Sequence, residues 1–206
     1  MKIKNKIIAL MISLIAMPTF ALAKDGPYAG AKYSKIDVDY KTVDGVNLNQ
    51  VFPSDFNAWD LHLGYNLGNG FFELGYIKSN KESKNLGSTN FGSVTLSANT
   101  SLDFDGYRIG AGYNFPVSKE FVIKPFINYY NLDLTASGTL TVTAGSTSVS
   151  ATSTVSGSDT MIDAGIGFDY LVNDRTKITL SYARTLDTLD DTSKVQTLAL
   201  SGSYQF

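Results

Sequence analysis

Apolar and polar residues alternate with a period of two along much of the chain, which is the pattern of β-strands with two unlike faces. The alternation is clearest in the last segment. There Leu198, Leu200, Tyr204 and Phe206 share one face with Gly202, and small or polar residues lie between them. This segment is predicted to be a long strand with an apolar face that ends in an aromatic residue.

Three further pairs of alternating segments are separated by short turns and are predicted to form hairpins. Together with a first strand at 28–40 and the final strand, these three hairpins bring the total to about eight strands. The hairpins are 59–65 with 72–76, 107–115 with 121–129, and 162–170 with 178–182.

The connections between these hairpins are longer and polar, at 41–55, 78–100, 135–158 and 187–194. Short connections that alternate with long ones are typical of periplasmic turns and extracellular loops. Both ends of the strand set then face the periplasm. In 135–158, alternation around Ala144-Gly145-Ser146 favours a hairpin that extends the sheet, although the Ser, Thr and Gly content also fits a flexible loop.

Two segments break the alternation. The apolar positions switch parity near Tyr130, and a similar ambiguity lies between Tyr33 and Ile36. We expect a β-bulge, or the exit from the membrane band, at both places.

A strand with this alternation and an aromatic last residue is typical of the strand that closes a membrane barrel and whose apolar face contacts lipid. The predicted fold class is therefore all-β, a closed antiparallel up-and-down transmembrane β-barrel of about eight strands over residues 24–206. The 12 Tyr, 12 Phe and 18 Gly agree with β structure and aromatic girdles.

The first 23 residues have the composition of a cleavable signal peptide. Lys2, Lys4 and Lys6 precede an apolar run over 7–20, and Ala21-Leu22-Ala23 fits the cleavage pattern. The alternative is an uncleaved anchor, for which the run is short. Export predicts an integral protein of the outer membrane of a Gram-negative bacterium.

Composition narrows the chemistry. The absence of Cys leaves neither disulfides nor thiolate metal ligands, and the net charge of −2 gives no support to nucleic-acid binding. His62 is the only histidine, and with scattered carboxylates it predicts no metal site and no cofactor. With Asp60 and a serine, His62 supplies the ingredients of a membrane acyl hydrolase, but a packed interior histidine is the preferred interpretation.

Charged residues of both signs share the inward parity of the predicted strands. A narrow barrel has room inside only for side chains, so these charges are expected to form a paired network and not an aqueous pore. The predicted network contains Lys32, Asp60, Glu73, Arg108, Lys124 and Asp163.

Two cross-strand registers refine this prediction. Pairing of Tyr65 with Phe72 places Glu73 opposite Gly64, which leaves space for the glutamate side chain. Pairing of Tyr170 with Thr176 places Asp169 opposite Lys177 at the periplasmic end, where a solvated rim position is the alternative to an ion pair.

Several pieces of the sequence resemble the small eight-stranded outer-membrane barrels, the OmpA-like, OmpX/Ail-type and porin-family surface proteins. They are Tyr28-Ala29-Gly30-Ala31-Lys32-Tyr33-Ser34, Phe71-Phe72-Glu73-Leu74-Gly75-Tyr76, Tyr107-Arg108-Ile109-Gly110-Ala111-Gly112-Tyr113 and Tyr204-Gln205-Phe206. The resemblance implies a salt-bridged plug with roles for Glu73 and Arg108. It also implies that Tyr204 and Phe206 act as a signal to the barrel-assembly machinery.

This architecture carries several functions, so the resemblance predicts the compartment better than the activity. The leading hypothesis is a non-enzymatic surface anchor whose long loops meet lipopolysaccharide and a host or environmental ligand. The second is a small channel for ions or small, including hydrophobic, solutes. The third is a lipid-modifying enzyme that uses His62.

Overall fold

The structure is a computed structural model that describes residues 25–187 and 192–206. The predicted signal peptide at 1–23 lies outside the described residues, as do residues 188–191 of the last long connection. Among the described residues, no helix is both long enough and apolar enough to cross a membrane.

The described residues form strands joined by turns, with one short 3-10 helix at Leu48–Gln50. The short strands β2 and β3 pair with each other in a connection, and the others, including the two-residue β8, belong to the main sheet. In chain order the strands are β1 Gly26–Tyr40, β2 Thr42–Val43, β3 Val46–Asn47, β4 Asp55–Leu67, β5 Gly70–Ser79, β6 Glu82–Phe91, β7 Val94–Tyr113, β8 Phe115–Pro116, β9 Phe121–Ala144, β10 Thr147–Leu171, β11 Thr176–Asp187 and β12 Thr192–Gln205.

Eight of these strands pair in a closed antiparallel ring, in the order β1, β4, β5, β7, β9, β10, β11, β12 and back to β1. The ring closes where Tyr28 of β1 pairs with Gln205 of β12. Closure leaves no free edge inside the ring, which is what a sheet in lipid requires. The predicted fold of about eight strands in a closed antiparallel barrel is confirmed.

Alternate side chains of the ring point outwards and are apolar. Aliphatic residues such as Leu61, Leu63 and Leu180 lie between two bands of aromatic residues, and all are exposed. An apolar belt flanked by aromatic girdles is the outer surface that a bilayer requires. The aromatic residues are Tyr33, Trp59, Tyr76, Tyr107, Tyr129 and Tyr182 in one band and Tyr65, Phe72, Phe121, Tyr170 and Tyr204 in the other.

At one end of the ring the strands continue well beyond the belt. β6, β7, β9 and β10 pair in that order and form a four-stranded sheet, here called the projecting sheet, over 82–105 and 133–158. The favoured hairpin in 135–158 is confirmed, with its turn between Ala144 and Thr147. The long polar connection at 78–100 is mostly a hairpin of β6 with the start of β7.

Of the two explanations given for the parity switches, the β-bulge is wrong and the exit from the membrane band is confirmed. The register of β9 runs without a shift past Tyr130, and β1 shifts only between Asp39 and Tyr40. Ile36 and Leu132 remain on the inward face and are buried. The apolar residues change from the outward to the inward face because the interior of the barrel is itself apolar at the level of Ile36 and Leu132.

One of the two predicted registers is confirmed. Tyr65 pairs with Phe72, and Gly64 lies opposite Glu73. The space over Gly64 is filled by the ring of Tyr28, however, because a Cβ built on Gly64 would lie 2.2 Å from that ring.

The other predicted register is wrong. Tyr170 pairs with Ile178, so Asp169 lies opposite Thr179 and not opposite Lys177. The side chain of Asn173 accepts hydrogen bonds from the backbone N–H groups of Arg175 and Thr176, which centres the turn one residue later than expected.

Candidate functional site: charged and apolar layers inside the barrel

The charged side chains inside the barrel come from neighbouring strands of the ring. Each occupies an inward position of an alternating strand, so the same periodicity that exposes apolar residues to lipid turns these charges inwards. They are Lys32 on β1, Asp60 on β4, Glu73 on β5, Arg108 on β7 and Lys124 on β9.

Arg108 lies at the centre of this cluster and is 1% exposed. Its Nε and Nη2 donate to the two carboxylate oxygens of Asp60 at 2.7 and 3.2 Å. Its Nη1 donates to Glu73 Oε2 at 2.9 Å and to Asn128 Oδ1 at 3.0 Å. The guanidinium therefore joins two carboxylates and an amide from three other strands.

Each carboxylate has a second cation. Lys32 pairs with Asp60 in the strand register, and its Nζ lies 3.3 Å from Asp60 Oδ2. Lys124 Nζ donates to Glu73 Oε1 at 2.7 Å. Charges placed in a poorly hydrated interior are stable when they are paired and hydrogen-bonded in this way.

Asp163 lies beside the cluster but has neutral partners. Its oxygens accept from Asn128 Nδ2 at 2.8 Å and from the Tyr130 hydroxyl at 3.0 Å. Asn128 thus links Arg108 to Asp163. Of the six residues in the predicted network, five are joined by ion pairs, and Asp163 joins through this amide.

Tyr28 is part of the cluster, although the sequence analysis did not select it. Its hydroxyl donates to Glu73 Oε1 at 2.9 Å, and its side chain is 1% exposed. Phe71 also contributes, since Lys124 Nζ lies 3.9 Å from the centre of its ring. Tyr28 lies on the same inward face of β1 as Lys32, and this shared face is the sequence feature that could have identified it.

Glycines make room for these large side chains. A Cβ on Gly75 would lie 3.0 Å from the Asp60 carboxylate and 3.1 Å from the Arg108 guanidinium. A Cβ on Gly30 would lie 2.5 Å from the ring of His62. A narrow barrel holds bulky polar groups at this level because neighbouring inward positions carry no side chain.

A second ion pair lies nearer the short turns. Lys177 Nζ is 3.3 Å from Asp169 Oδ2, and their side chains are 15% and 2% exposed. Lys177 also lies 4.8 Å from the centre of the Tyr28 ring. The pair forms diagonally across the strands, and the low exposure argues against a solvated rim position.

On the other side of the charged cluster, towards the long connections, the interior is apolar. Buried aliphatic and aromatic residues from β1, β4, β5, β7, β9, β10 and β12 pack into what we call the apolar layer. It contains Ile36, Val38, Phe56, Ala58, Ile77, Leu102, Phe104, Tyr130, Leu132, Met161 and Val195.

Small cavities lie inside the barrel. A cavity of about 60 Å³ lies within the apolar layer, and another of about 40 Å³ lies beside the charged cluster. Cavities of this size hold a few water molecules.

At the outer margin of the apolar layer, burial raises the pKa of Tyr40, whose hydroxyl donates to the carbonyl of Pro53 at 2.9 Å.

His62 is a member of the charged cluster. Its Nδ1 lies 3.1 Å from Asp60 Oδ1, and its edge faces the ring of Tyr28. Over residues 25–187 and 192–206 no serine hydroxyl is hydrogen-bonded to His62, and no group of three or more potential metal ligands occurs. The geometry is that of a packed, hydrogen-bonded histidine.

Tyr204 and Phe206 lie at the end of β12 on the outer surface and contact each other edge to face. The backbone N–H of Phe206 donates to the carbonyl of Pro27, so the last residue is held against β1.

A family model described as outer membrane protein beta-barrel domain matches residues 7–206. The chain belongs to this family. It is therefore a transmembrane β-barrel protein of the bacterial outer membrane. No curated protein matches the sequence.

Solved outer-membrane barrels resemble this chain at low sequence identity. Neisserial surface protein A is 12% identical, with a TM-score of 0.51, over 89% of this chain and 100% of that one. Ail of Yersinia pestis is 18% identical with a TM-score of 0.45, and the N-terminal barrel domain of OprF from Pseudomonas aeruginosa is 12% identical with a TM-score of 0.45. Both alignments cover 89% of this chain and 100% of the other.

Proposed function

We propose that this outer-membrane barrel is a non-enzymatic surface protein with a closed lumen. The observation that carries the proposal is the charged cluster around Arg108, which joins side chains of β1, β4, β5, β7 and β9 across the interior. The ring anchors the protein in the membrane, and the projecting sheet is the part that meets other molecules.

The physical argument concerns the cost of opening the cluster. An ion that crosses the lumen must separate Arg108 from Asp60 and Glu73, which strands charges in a poorly hydrated interior. Breaking one buried pair costs about 3–5 kcal/mol. The apolar layer adds a second barrier, because an ion there loses its water and gains no charged partner.

The orientation belongs to the proposal. The short turns at 68–69 and 172–175 face the periplasm, and the projecting sheet faces outside, after export with cleavage of the signal peptide at residue 23. An epitope inserted at Gly145, the tip of the β9–β10 hairpin, then binds antibody on intact cells. Binding only after the outer membrane is permeabilised contradicts this topology.

The functional test is solute flux into liposomes that contain the purified protein. Liposomes with the wild-type chain are expected to swell in arabinose no faster than empty liposomes. A liposome set with a known open porin is the positive control. Swelling that rises with the amount of wild-type protein contradicts the closed lumen.

One observation favours a second candidate, a binding site or path for small hydrophobic solutes. The apolar layer contains a cavity lined by residues such as Ile36, Phe56 and Met161. If this candidate is correct, a small aromatic solute will quench a fluorophore at position 56 in the folded protein, while ion conductance stays absent. The enzyme hypothesis gains no support from the surroundings of His62.

A further inference from the structure

The outer edge of β10 is an unpaired strand edge in the projecting sheet. β10 pairs with β9 from Thr147 onwards, but β11 covers its other side only from Ile162. Among the described residues, no backbone group pairs with that side over 147–158, and every residue there is exposed. Twelve residues of strand span about 40 Å, which is a long row of open donors and acceptors.

The opposite edge of the same sheet is protected in the usual ways. β6 carries Glu82 and Lys84, and its register shifts between Asn85 and Gly87, where Gly87 has a φ of 105°. Charges and a bulge prevent another strand from pairing with an edge. The segment 147–158 has no charged residue, no proline and no register shift. Only one of the two edges is therefore open to another strand.

The sequence of the open edge is nearly a palindrome. Residues 148–156 read Ser-Val-Ser-Ala-Thr-Ser-Thr-Val-Ser, with Thr152 at the centre. In an antiparallel pair centred on Thr152, Val149 of one copy lies opposite Val155 of the other. Hydroxyl residues then lie opposite hydroxyl residues on the second face. Matched β-branched and hydroxyl pairs are favourable across strands, and no like charges meet.

We propose that this edge pairs with the same edge of a second copy of the chain, antiparallel and centred on Thr152. The contact is isologous, so it closes after two copies. In this register the partner's hairpin tip at Gly145 reaches the level of Asp159. That level lies short of Ile162, where β11 begins to cover the edge.

Antiparallel pairing has a consequence for the membranes. Two copies in one membrane point the same way, so their β10 strands run parallel. An antiparallel pair joins copies whose barrels point towards each other from opposed membranes. The inference rests on the proposed outward orientation of the projecting sheet, and it makes the protein a homotypic adhesin. One contact is small, and many copies on each membrane supply the avidity.

The first experiment measures clustering of proteoliposomes that contain the full chain. Wild-type vesicles are expected to cluster, whereas vesicles with Thr152→Lys or Thr152→Glu do not, because identical charges meet at the twofold axis. Mixing the Lys and Glu vesicles is expected to restore clustering. Thr89→Lys on the protected edge of β6 is the matched control and leaves clustering unchanged. Heat-modifiable mobility on gels shows that each variant is folded.

The second experiment distinguishes the geometry of the pair. The chain has no Cys, so single cysteines report directly. In the antiparallel pair Thr152→Cys faces itself and forms disulfide-linked dimers, whereas Val149→Cys lies about 20 Å from its copy and does not. Equal cross-linking of both variants indicates parallel pairing and overturns the inference.

Two further results overturn it. One is wild-type vesicles that do not cluster, and the other is mixed Lys and Glu vesicles that stay dispersed. Antibody access to the hairpin tip on intact cells, and solute flux, are measured separately. If the tip is accessible and the lumen is closed while clustering fails, the self-pairing alone is wrong and the proposed function stands.

Discussion

Arg108 and Asp60 form a two-point ion pair inside the barrel, with Nε–Oδ2 at 2.7 Å and Nη2–Oδ1 at 3.2 Å. The two residues lie on β7 and β4, which are not adjacent in the ring, and β5 passes between them. The pair is possible because Gly75 on β5 has no side chain to fill the space. The remaining charges are arranged around this contact.

The first prediction concerns Arg108→Ala. The substitution leaves Asp60 and Glu73 with one lysine each, and we expect a loss of about 3–5 kcal/mol of folding free energy. Glu73→Gln added to Arg108→Ala is expected to recover part of the loss, since the single variant leaves two lysines against three carboxylates, Asp163 included, and the second substitution removes the excess negative charge. Unfolding in detergent with urea, followed by heat-modifiable mobility, measures both. A double variant less stable than Arg108→Ala would contradict the network.

The second prediction concerns the Tyr28 hydroxyl. Tyr28→Phe keeps the ring and removes the donor to Glu73, so we expect a loss of about 1.5–3 kcal/mol, as for a hydrogen bond to a charged group. Tyr33→Phe is the control, because its hydroxyl donates to Asn57 on the exposed outer surface. Equal effects of the two substitutions on unfolding would exclude a special role for Tyr28.

The third prediction concerns the space over Gly64. Gly64→Ala places a Cβ 2.2 Å from the Tyr28 ring, and the ring has strands behind it, so the assembled fraction is expected to fall. Gly138→Ala is the control at an exposed position of the projecting sheet, with no atom within 4 Å of the added Cβ. Tyr28→Ala combined with Gly64→Ala tests the cause, because it removes the clash.

The sequence predicts the strands and the face of the strand on which most side chains lie, because alternation with a period of two is a local property of each segment. It predicts Asp60, Glu73 and Arg108 as inward charges for the same reason. The pairs themselves depend on register between strands far apart in the chain, and Lys32 opposite Asp60 could not be selected without it.

The apolar layer could not be predicted for a different physical reason. The sequence shows that the apolar positions switch parity before Ile36 and Leu132, but the pattern alone does not distinguish a β-bulge from the exit from the membrane band. In the structure, apolar residues move from the outward to the inward face where the strand leaves the apolar belt, because lipid no longer covers the outside of the barrel there. Asp133 on β9 is exposed there, while Leu132 is buried.

The fourth prediction concerns the proposed assembly signal at Tyr204 and Phe206. Phe206→Ala is expected to reduce the amount of heat-modifiable barrel in the outer membrane while leaving total synthesis unchanged. Phe91→Ala is the control, because both phenylalanines are 65% exposed and differ in their place in the fold. If the two variants assemble equally well, Phe206 is a surface aromatic and not a recognition element.

The central claim is that the charged cluster closes the lumen, and single-channel recording in planar bilayers tests it most directly. The wild-type chain is expected to insert without a steady open state, and Arg108→Ala is expected to produce conductance events as water solvates Asp60 and Glu73. Arg108→Lys, which keeps a charge but loses the two-point contact, is expected to lie between them. A large steady conductance of the wild type that Arg108→Ala leaves unchanged would show that these charges line a pore, and would contradict the account.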